Sequence, residues 1–209
     1  HATEAYVSIL ANDFTDGLAL QAIKLVFEFL EKSVNEKDPE ARERMHNAST
    51  MAGMAFANAF LGMNHSLAHK IGGRFHTPHG RTNAILMPHV IRYNGTRPEK
   101  TATWPKYNYY KADVKYQDIA RMLGLPCATP EEGVRSYAQA CYDLAVRCGI
   151  KMSFKEQGLD EKAWMDARRD VALLAFEDQC SPANPRLPMV EDMQVILTRA
   201  YYGYDPKDY

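Results

Sequence analysis

The sequence of 209 residues lacks an excess of charge of either sign. Twenty-five Lys and Arg residues stand against 26 Asp and Glu residues, which leaves a formal net charge of -1. Proteins that bind nucleic acid or an anionic membrane surface normally carry a basic patch, so the sequence predicts neither partner. It also lacks an apolar run of the roughly 18 to 20 residues that a membrane span needs. The stretch 52–63, for example, is interrupted by Asn58. We therefore expect no nucleic-acid partner and no membrane partner.

Cysteine is scarce, and no two of its residues form a C-x-x-C pair. The four are Cys127, Cys141, Cys148 and Cys180. In a chain of this size they indicate reduced structural thiols of a cytoplasmic protein rather than a disulfide framework. The sequence also lacks a starting Met and a signal peptide, and it opens with His1 followed by residues typical of the middle of a helix. These features predict a cytoplasmic location and a chain that is a fragment of a larger protein.

Alternating strand patterns are absent, and apolar residues recur with a spacing close to 3.6 along most of the chain. Asp38 and Pro39 predict a helix start, because the Asp side chain can cap the helix and Pro fits its first turn. This helix is predicted to run toward Phe60. Further helices are predicted after the stretch 12–15 and at about 64–71, 79–92, 115–123, 131–148, 160–176 and 189–202. With no internal repeat or domain boundary, residues 1–209 are predicted to form a single all-α domain.

Two segments interrupt the helical pattern. Residues 94–116 contain Gly95, Pro98 and Pro105 and are predicted to form a long aromatic loop. Its aromatic residues are Trp104, Tyr107, Tyr109, Tyr110 and Tyr116. Such a loop can pack onto its own domain or contact another subunit, and the sequence favours neither over the other. Residues 180–188 hold three prolines and are predicted to form an irregular connection before the last helix.

Four of the seven histidines lie close together, between positions 65 and 79. His65 and His69 are four residues apart, so on a helix both point to one face. His79 lies between Pro78 and Gly80, where the next predicted helix starts. A lone histidine is more often a hydrogen-bonded structural residue. A group of this density favours a metal site, because imidazole is the commonest metal ligand in proteins.

The residues next to the His65–His69 pair exclude one class of metal site, and the remaining histidines are assigned separately. The zinc-protease motif H-E-x-x-H is excluded, because Ser66 follows the first histidine of the pair. His76 is the fourth member of the cluster. His46 and His89 lie outside it or at its far side, and we interpret both as structural residues.

Three motifs lie in the histidine-rich region: residues 60–72 (FLGMNHSLAHKIG), 75–80 (FHTPHG) and 83–86 (NAIL). Together they resemble the signature of the iron-containing (group III) alcohol dehydrogenases. Residues 1–8 (HATEAYVS) look like the end of that family's other metal motif, an Asp-x-x-x-His segment on a helix. The stretch 176–186 and the aromatic insertion after Asn94 are similar to segments of one subgroup, the C-terminal half of the bifunctional aldehyde-alcohol dehydrogenases. The resemblance covers essentially the whole chain.

The resemblance implies a fold and a set of ligands. The fold is the helical metal-binding domain of the dehydroquinate-synthase-like proteins and iron alcohol dehydrogenases, without their nucleotide-binding domain; the sequence has no G-x-G-x-x-G motif. The metal would be held by one Asp and three His, and the matching residues here are His1, His65 and His79. The Asp would lie four residues before His1, outside the sequence. His69 falls on a family position that lines the substrate pocket, which implies a catalytic proton relay rather than a metal ligand.

The resemblance also implies a reaction. It predicts the metal-binding half of an NAD-dependent alcohol dehydrogenase that reduces acetaldehyde and other short aldehydes to ethanol and other alcohols, within a bifunctional enzyme that converts acetyl-CoA to ethanol. The implied cofactors are Fe²⁺, with Zn²⁺ as the alternative, and NAD(H) bound mainly by an upstream nucleotide-binding domain. No residue of this chain is assigned to NAD(H). The implied partners are the upstream domain, the small aldehyde or alcohol, and further copies of the chain in a homo-oligomer or filament. Residues 1–209 alone are expected to be inactive.

Two other functions stay open on the sequence. The first is a glycerol-dehydrogenase-like polyol dehydrogenase, because three histidine ligands do not distinguish between substrates. The second is a mainly structural oligomerisation or filament module, in which the aromatic loop and residues 201–204 (YYGY) contact other copies.

Overall fold

The computed structural model describes residues 1–98 and 110–209, and the regular structure of those ranges is entirely helical. The α-helices within them are α1 (Ala2–Val7), α2 (Asp13–Glu31), α3 (Pro39–Ala59), α4 (Met63–Phe75), α5 (His79–Gly95), α6 (Ala112–Met122), α7 (Pro130–Arg147), α8 (Glu161–Phe176) and α9 (Val190–Tyr202). A π-helical turn at Lys32–Glu36 follows α2, and 3-10 turns lie at Ser181–Ala183 and Pro206–Asp208. The predicted all-α class is confirmed. None of the helices in the described ranges has the length and apolar character needed to cross a bilayer.

Capping side chains fix the starts of the two longest helices. Asp38 accepts a hydrogen bond from the Ala41 N–H at 2.8 Å, and Pro39 is the first residue of α3, as the sequence predicted. At the start of α2, the Asn12 side chain accepts from the N–H of Thr15, and the Thr15 hydroxyl accepts from the N–H of Asn12. These two hydrogen bonds satisfy backbone N–H groups that have no carbonyl acceptor within the helix. The two helices then pack along each other.

Helix α6 begins at Ala112, three residues before the predicted start near 115, and it includes Tyr116, as the helix predicted at about 115–123 does. The predicted aromatic loop at 94–116 overlaps this helix at its C-terminal end. Tyr116 is 1% exposed and shares a buried helix face with Ile119 and Ala120, at the spacing of a helix stripe. Gly95 likewise ends α5 instead of starting the loop. Of the other predicted loop aromatics, Tyr110 is 8% exposed and its hydroxyl donates to the Asn94 carbonyl at 2.7 Å. Trp104, Tyr107 and Tyr109 lie outside the described residues.

Two hydrophobic clusters form the interior. In the first, Trp164 stacks on Phe75 and Phe154 at ring-centroid distances of 5.1 and 4.5 Å, and α4, α8 and α9 pack around it. The second cluster joins α1, α2, α3, α6 and α7. Helix α5 contributes to both, with Leu86 in the first cluster and Ile91 in the second. It is therefore held on two sides.

The terminal tyrosines differ in exposure. Tyr201 is 2% exposed and packs against Trp164, so its side chain belongs to the core. Tyr202 is 53% exposed. Tyr204 packs its ring against His89. Of these three residues, Tyr202 is exposed, Tyr204 is partly buried and Tyr201 is buried.

Candidate metal centre

Three helix starts bring the three predicted ligands together. His1 precedes α1, His65 lies in the first turn of α4, and His79 is the first residue of α5. One side-chain nitrogen from each lies within 4.8 Å of the other two. Nitrogens bound at about 2.1 Å to a tetrahedral ion are about 3.4 Å apart, so closing the group around one ion requires at most a small contraction.

His65 gives the most direct indication that the group binds a ligand. Its side chain is 3% exposed, and its Nε2 atom is buried without a hydrogen-bond partner among residues 1–98 and 110–209. A buried polar atom without a partner costs on the order of 1 to 3 kcal/mol, and native structures contain few of them. A bond to a metal would satisfy this nitrogen. Three imidazoles suit Zn²⁺, Fe²⁺ and other divalent transition metals, so the residues present fit such an ion.

A buried carboxylate holds the His65 ring in place. Glu4 Oε2 is hydrogen-bonded to His65 Nδ1, and Glu4 Oε1 accepts the backbone N–H of Asn64 at 2.7 Å. Burial by itself would raise the pKa of the Glu4 carboxyl, but the hydrogen bond and the charge of His65 outweigh burial and lower that pKa. The carboxylate therefore accepts the Nδ1 proton, which leaves Nε2 as the nitrogen that can bind a metal.

Two asparagines connect the start of α4 to the start of α5. The Asn64 side-chain amide donates to Asn83 Oδ1 at 2.8 Å and to the Asn83 carbonyl at 3.2 Å. The Asn83 amide in turn donates to the His79 carbonyl at 3.1 Å and lies 3.2 Å from His79 Nε2. Glu4, Asn64, Asn83 and His79 thus form one polar chain. This chain links two of the three candidate ligands.

His79, like His1, is exposed, whereas His65 is buried. Burial lowers its pKa, and the neighbouring imidazoles of His65 and His69 lower it further. The N-terminal end of α5 also disfavours a positive charge on its first residue. His79 is therefore kept in the neutral form, which is the form that binds metals.

His69 lies beside the three-histidine group. Its ring stacks on that of His79 with a centroid distance of 5.7 Å and an interplanar angle of 14°, and it meets the His65 ring edge-on at 6.0 Å. The side chain is 35% exposed, and its Nδ1 lies 3.3 Å from Asp178 Oδ2. His69 thus contacts both the site and the solvent. Its role as a proton relay stays a prediction.

The remaining histidines lie in other surroundings. His76 ends α4 in the left-handed conformation with φ of 55° and is exposed. His46 is exposed on α3. His89 is fully buried in α5, and its Nδ1 lies 2.8 Å from the hydroxyl of Tyr209. None of the three belongs to the group around His65.

Sequence reasoning missed the residues that hold the site together. Glu4 follows His1 by three positions on a predicted helix, so the spacing of one turn was a usable signal. Asn83 follows His79 by four positions and gave the same kind of signal. Asp178 gave none, because it lies 109 positions from His69.

Comparisons with known proteins show which family the chain resembles. The sequence model of a protein family, the Fe-containing alcohol dehydrogenase family, C-terminal, matches residues 1–201. An aldehyde-alcohol dehydrogenase of Streptococcus pneumoniae serotype 2 is 74% identical over 204 residues, which are 98% of this chain and 23% of that protein. The bifunctional aldehyde-alcohol dehydrogenase of Escherichia coli strain K12 is 44% identical over 210 residues, which cover 98% of this chain and 24% of that protein. The chain thus spans about a quarter of the length of these curated relatives.

The similarity extends to solved structures. An iron-containing alcohol dehydrogenase from Thermococcus thioreducens is 32% identical and superposes with a TM-score of 0.84 over 98% of this chain and 48% of that one. The family model covers nearly all of the chain, and the matched structure has the same helical arrangement. The chain therefore belongs to the iron-containing alcohol dehydrogenase family, of which it represents the C-terminal part.

Proposed function

We propose that this chain is the single, helical, metal-binding domain of an alcohol dehydrogenase that interconverts short aldehydes and alcohols with NAD(H). The observation that carries the proposal is the buried, unpartnered Nε2 of His65 in a group with His1 and His79. The names of the relatives, which are aldehyde-alcohol dehydrogenases, support the same class of reaction. Acetaldehyde and ethanol are the proposed substrate pair, within an enzyme that also uses acetyl-CoA.

His1, His65 and His79 would hold the metal, together with a carboxylate from outside the sequence. Fe²⁺ is the proposed ion. Zn²⁺ is the alternative, because three imidazoles and a carboxylate do not by themselves select one of the two metals. When bound, such an ion is a Lewis acid that stabilises negative charge on the substrate oxygen by several kcal/mol. The contribution of this chain is to orient the imidazoles, through Glu4 on His65 and Asn83 beside His79.

His69 is the proposed proton carrier. In alcohol oxidation the hydroxyl proton passes to a neutral imidazole, and His69 is placed beside the ligands with 35% of its side chain exposed to deliver that proton to water. In aldehyde reduction the proton moves in the opposite direction. A nicotinamide supplies or accepts the hydride when it is bound by the proposed upstream nucleotide-binding domain.

Substrate comparison in the full-length protein tests the proposal. Metal-loaded enzyme is assayed with acetaldehyde and NADH, and in parallel with glycerol and NAD. We expect faster turnover of acetaldehyde. A preference for glycerol would favour the polyol dehydrogenase alternative, and a metal-free, inactive protein that still assembles into oligomers would favour the structural module. Residues 1–209 alone are expected to give no turnover, because they supply neither the carboxylate ligand nor a dinucleotide site.

A further inference from the structure

A second carboxylate lies on the other side of His69. Asp178 follows α8, its side chain is 6% exposed, and its Oδ2 lies 3.3 Å from His69 Nδ1. The same oxygen accepts a hydrogen bond from Lys70 Nζ at 2.8 Å, and Oδ1 accepts the backbone N–H of Cys180 at 3.0 Å. Both carboxylate oxygens of Asp178 therefore have hydrogen-bond partners other than the His69 imidazole.

A second metal site is the first interpretation to test, because ligand atoms of His69, Asp178 and Cys180 also lie within 4.8 Å of one another. The Lys70 ammonium disfavours it, because this group already binds the carboxylate oxygen that faces His69. The cluster is thus a set of hydrogen bonds centred on Asp178.

We propose that Asp178 is a positioning residue for His69, an inference that rests on the proposed proton-carrier role of that histidine. The carboxylate accepts the Nδ1–H and fixes the tautomer in which Nε2 carries no proton. In alcohol oxidation Nε2 takes the hydroxyl proton, the imidazolium keeps its Nδ1–H on Asp178, and the Nε2 proton then passes to water. Asp178 itself stays ionised throughout, because Lys70 and the Cys180 N–H stabilise the carboxylate.

An amide at this position would act in the opposite way. The side chain introduced by Asp178→Asn has nearly the same size as the carboxylate, and its oxygen can still accept the Cys180 N–H. Its NH₂ group would face His69 Nδ1 as a donor, which favours the tautomer with a protonated Nε2. That tautomer cannot accept a proton from an alcohol. The same NH₂ group cannot accept from Lys70 Nζ, so the substitution changes the chemistry of His69 and removes the Lys70 contact, while the size of the side chain stays nearly the same.

Steady-state kinetics in two backgrounds test the inference. In the full-length, metal-loaded enzyme, Asp178→Asn should lower kcat for alcohol oxidation on the order of tenfold or more, with KM changed less than about twofold and metal content unchanged. In the His69→Ala background the same substitution should have no further effect on kcat, because the group that it positions is gone. Asp170→Asn, an exposed position on α8, is the matched control and should leave kcat unchanged.

Any other result would contradict either the positioning role of Asp178 or the proton-carrier role of His69. Equal losses of kcat in the wild-type and His69→Ala backgrounds, or loss of metal in Asp178→Asn, would mean that Asp178 acts on the structure and not through His69. An unchanged kcat in His69→Ala would instead overturn the proton-carrier role in the proposed function. If Asp178→Asn does not fold, Asp178→Glu replaces it: the carboxylate is displaced by one methylene group, so kcat should fall in the wild-type background and stay unchanged in His69→Ala.

Discussion

His65 and His69 lie one turn apart on α4, and each has its Nδ1 against a buried carboxylate, yet the two pairs differ. The His65 side chain is 3% exposed and its partner Glu4 also accepts a backbone N–H. The His69 side chain is 35% exposed and its partner Asp178 is shared with Lys70. Under the proposed function the same pair of residue types serves two purposes. The imidazole from which water is excluded is the proposed ligand, and the one whose ring partly reaches water is the proposed proton carrier.

Removal of the buried histidine, His65, gives the largest expected effect, because it removes a proposed metal ligand. In full-length His65→Ala we expect loss of stoichiometric metal and turnover below about 1% of wild type, because even partners of ligands contribute 10- to 100-fold to metal affinity or activity. Metal analysis and kcat measure this. His46→Ala, at an exposed position on α3, is the control. Full metal content in His65→Ala would contradict the assignment.

Removing the half-exposed histidine should separate turnover from metal binding. In full-length His69→Ala we expect kcat to fall by about 100-fold, the lower end of what a positioned acid or base contributes, and its pH dependence to change. Metal content should stay at the wild-type level, because His69 lies outside the three-histidine group. Loss of metal in this variant would show that the two histidines share one role.

Changing the carboxylate of the buried pair should give an intermediate effect. In Glu4→Gln one oxygen becomes an NH₂ group, so either His65 Nδ1–H or the Asn64 N–H loses its acceptor. We expect metal affinity to weaken about 10- to 100-fold, with turnover restored by excess metal. Titration of the metal-free enzyme measures the affinity, and Glu43→Gln, exposed on α3, is the control. Unchanged affinity would mean that Glu4 does not position the ligand.

His89 is a buried histidine whose Nδ1 faces the Tyr209 hydroxyl instead of a carboxylate. Burial, assisted by the charge of Arg199, lowers its pKa from 6.5 to about 3. Between these values the unfolded chain binds a proton that the folded chain does not, so the free energy of unfolding falls as the pH drops, by about 1.4 kcal/mol per pH unit. Above pH 6.5 the group contributes no pH dependence.

His89→Gln tests this smallest effect. The amide retains a hydrogen-bonding group near Tyr209 but has no proton to gain. Urea unfolding of full-length wild type and variant at about pH 7 and 5 should show a smaller loss of stability on acidification in the variant. Equal losses would mean that other groups account for the acid sensitivity. Metal content should be the same in both proteins.

The sequence predicted well what depends on local spacing. Asp38 and Pro39 gave the start of α3, and the four-residue spacing placed His65 and His69 on one face, because a helix repeats every 3.6 residues. It could not predict Asp178 against His69, since that contact depends on how α8 packs against α4. The start of α6 was predicted three residues too late for a related reason: aromatic residues near Gly and Pro resemble a loop until the burial of the helix face that carries Tyr116 is known.

The origin of the three candidate ligands in three separate helices has a consequence for folding. An ion held by His1, His65 and His79 would tie together segments that are distant in the chain, and it would do so only in the folded state. A free metal concentration of 100 times the dissociation constant adds about 2.7 kcal/mol to the free energy of unfolding. The supply of metal would then set the resistance of the protein to proteolysis and its lifetime, in addition to its activity.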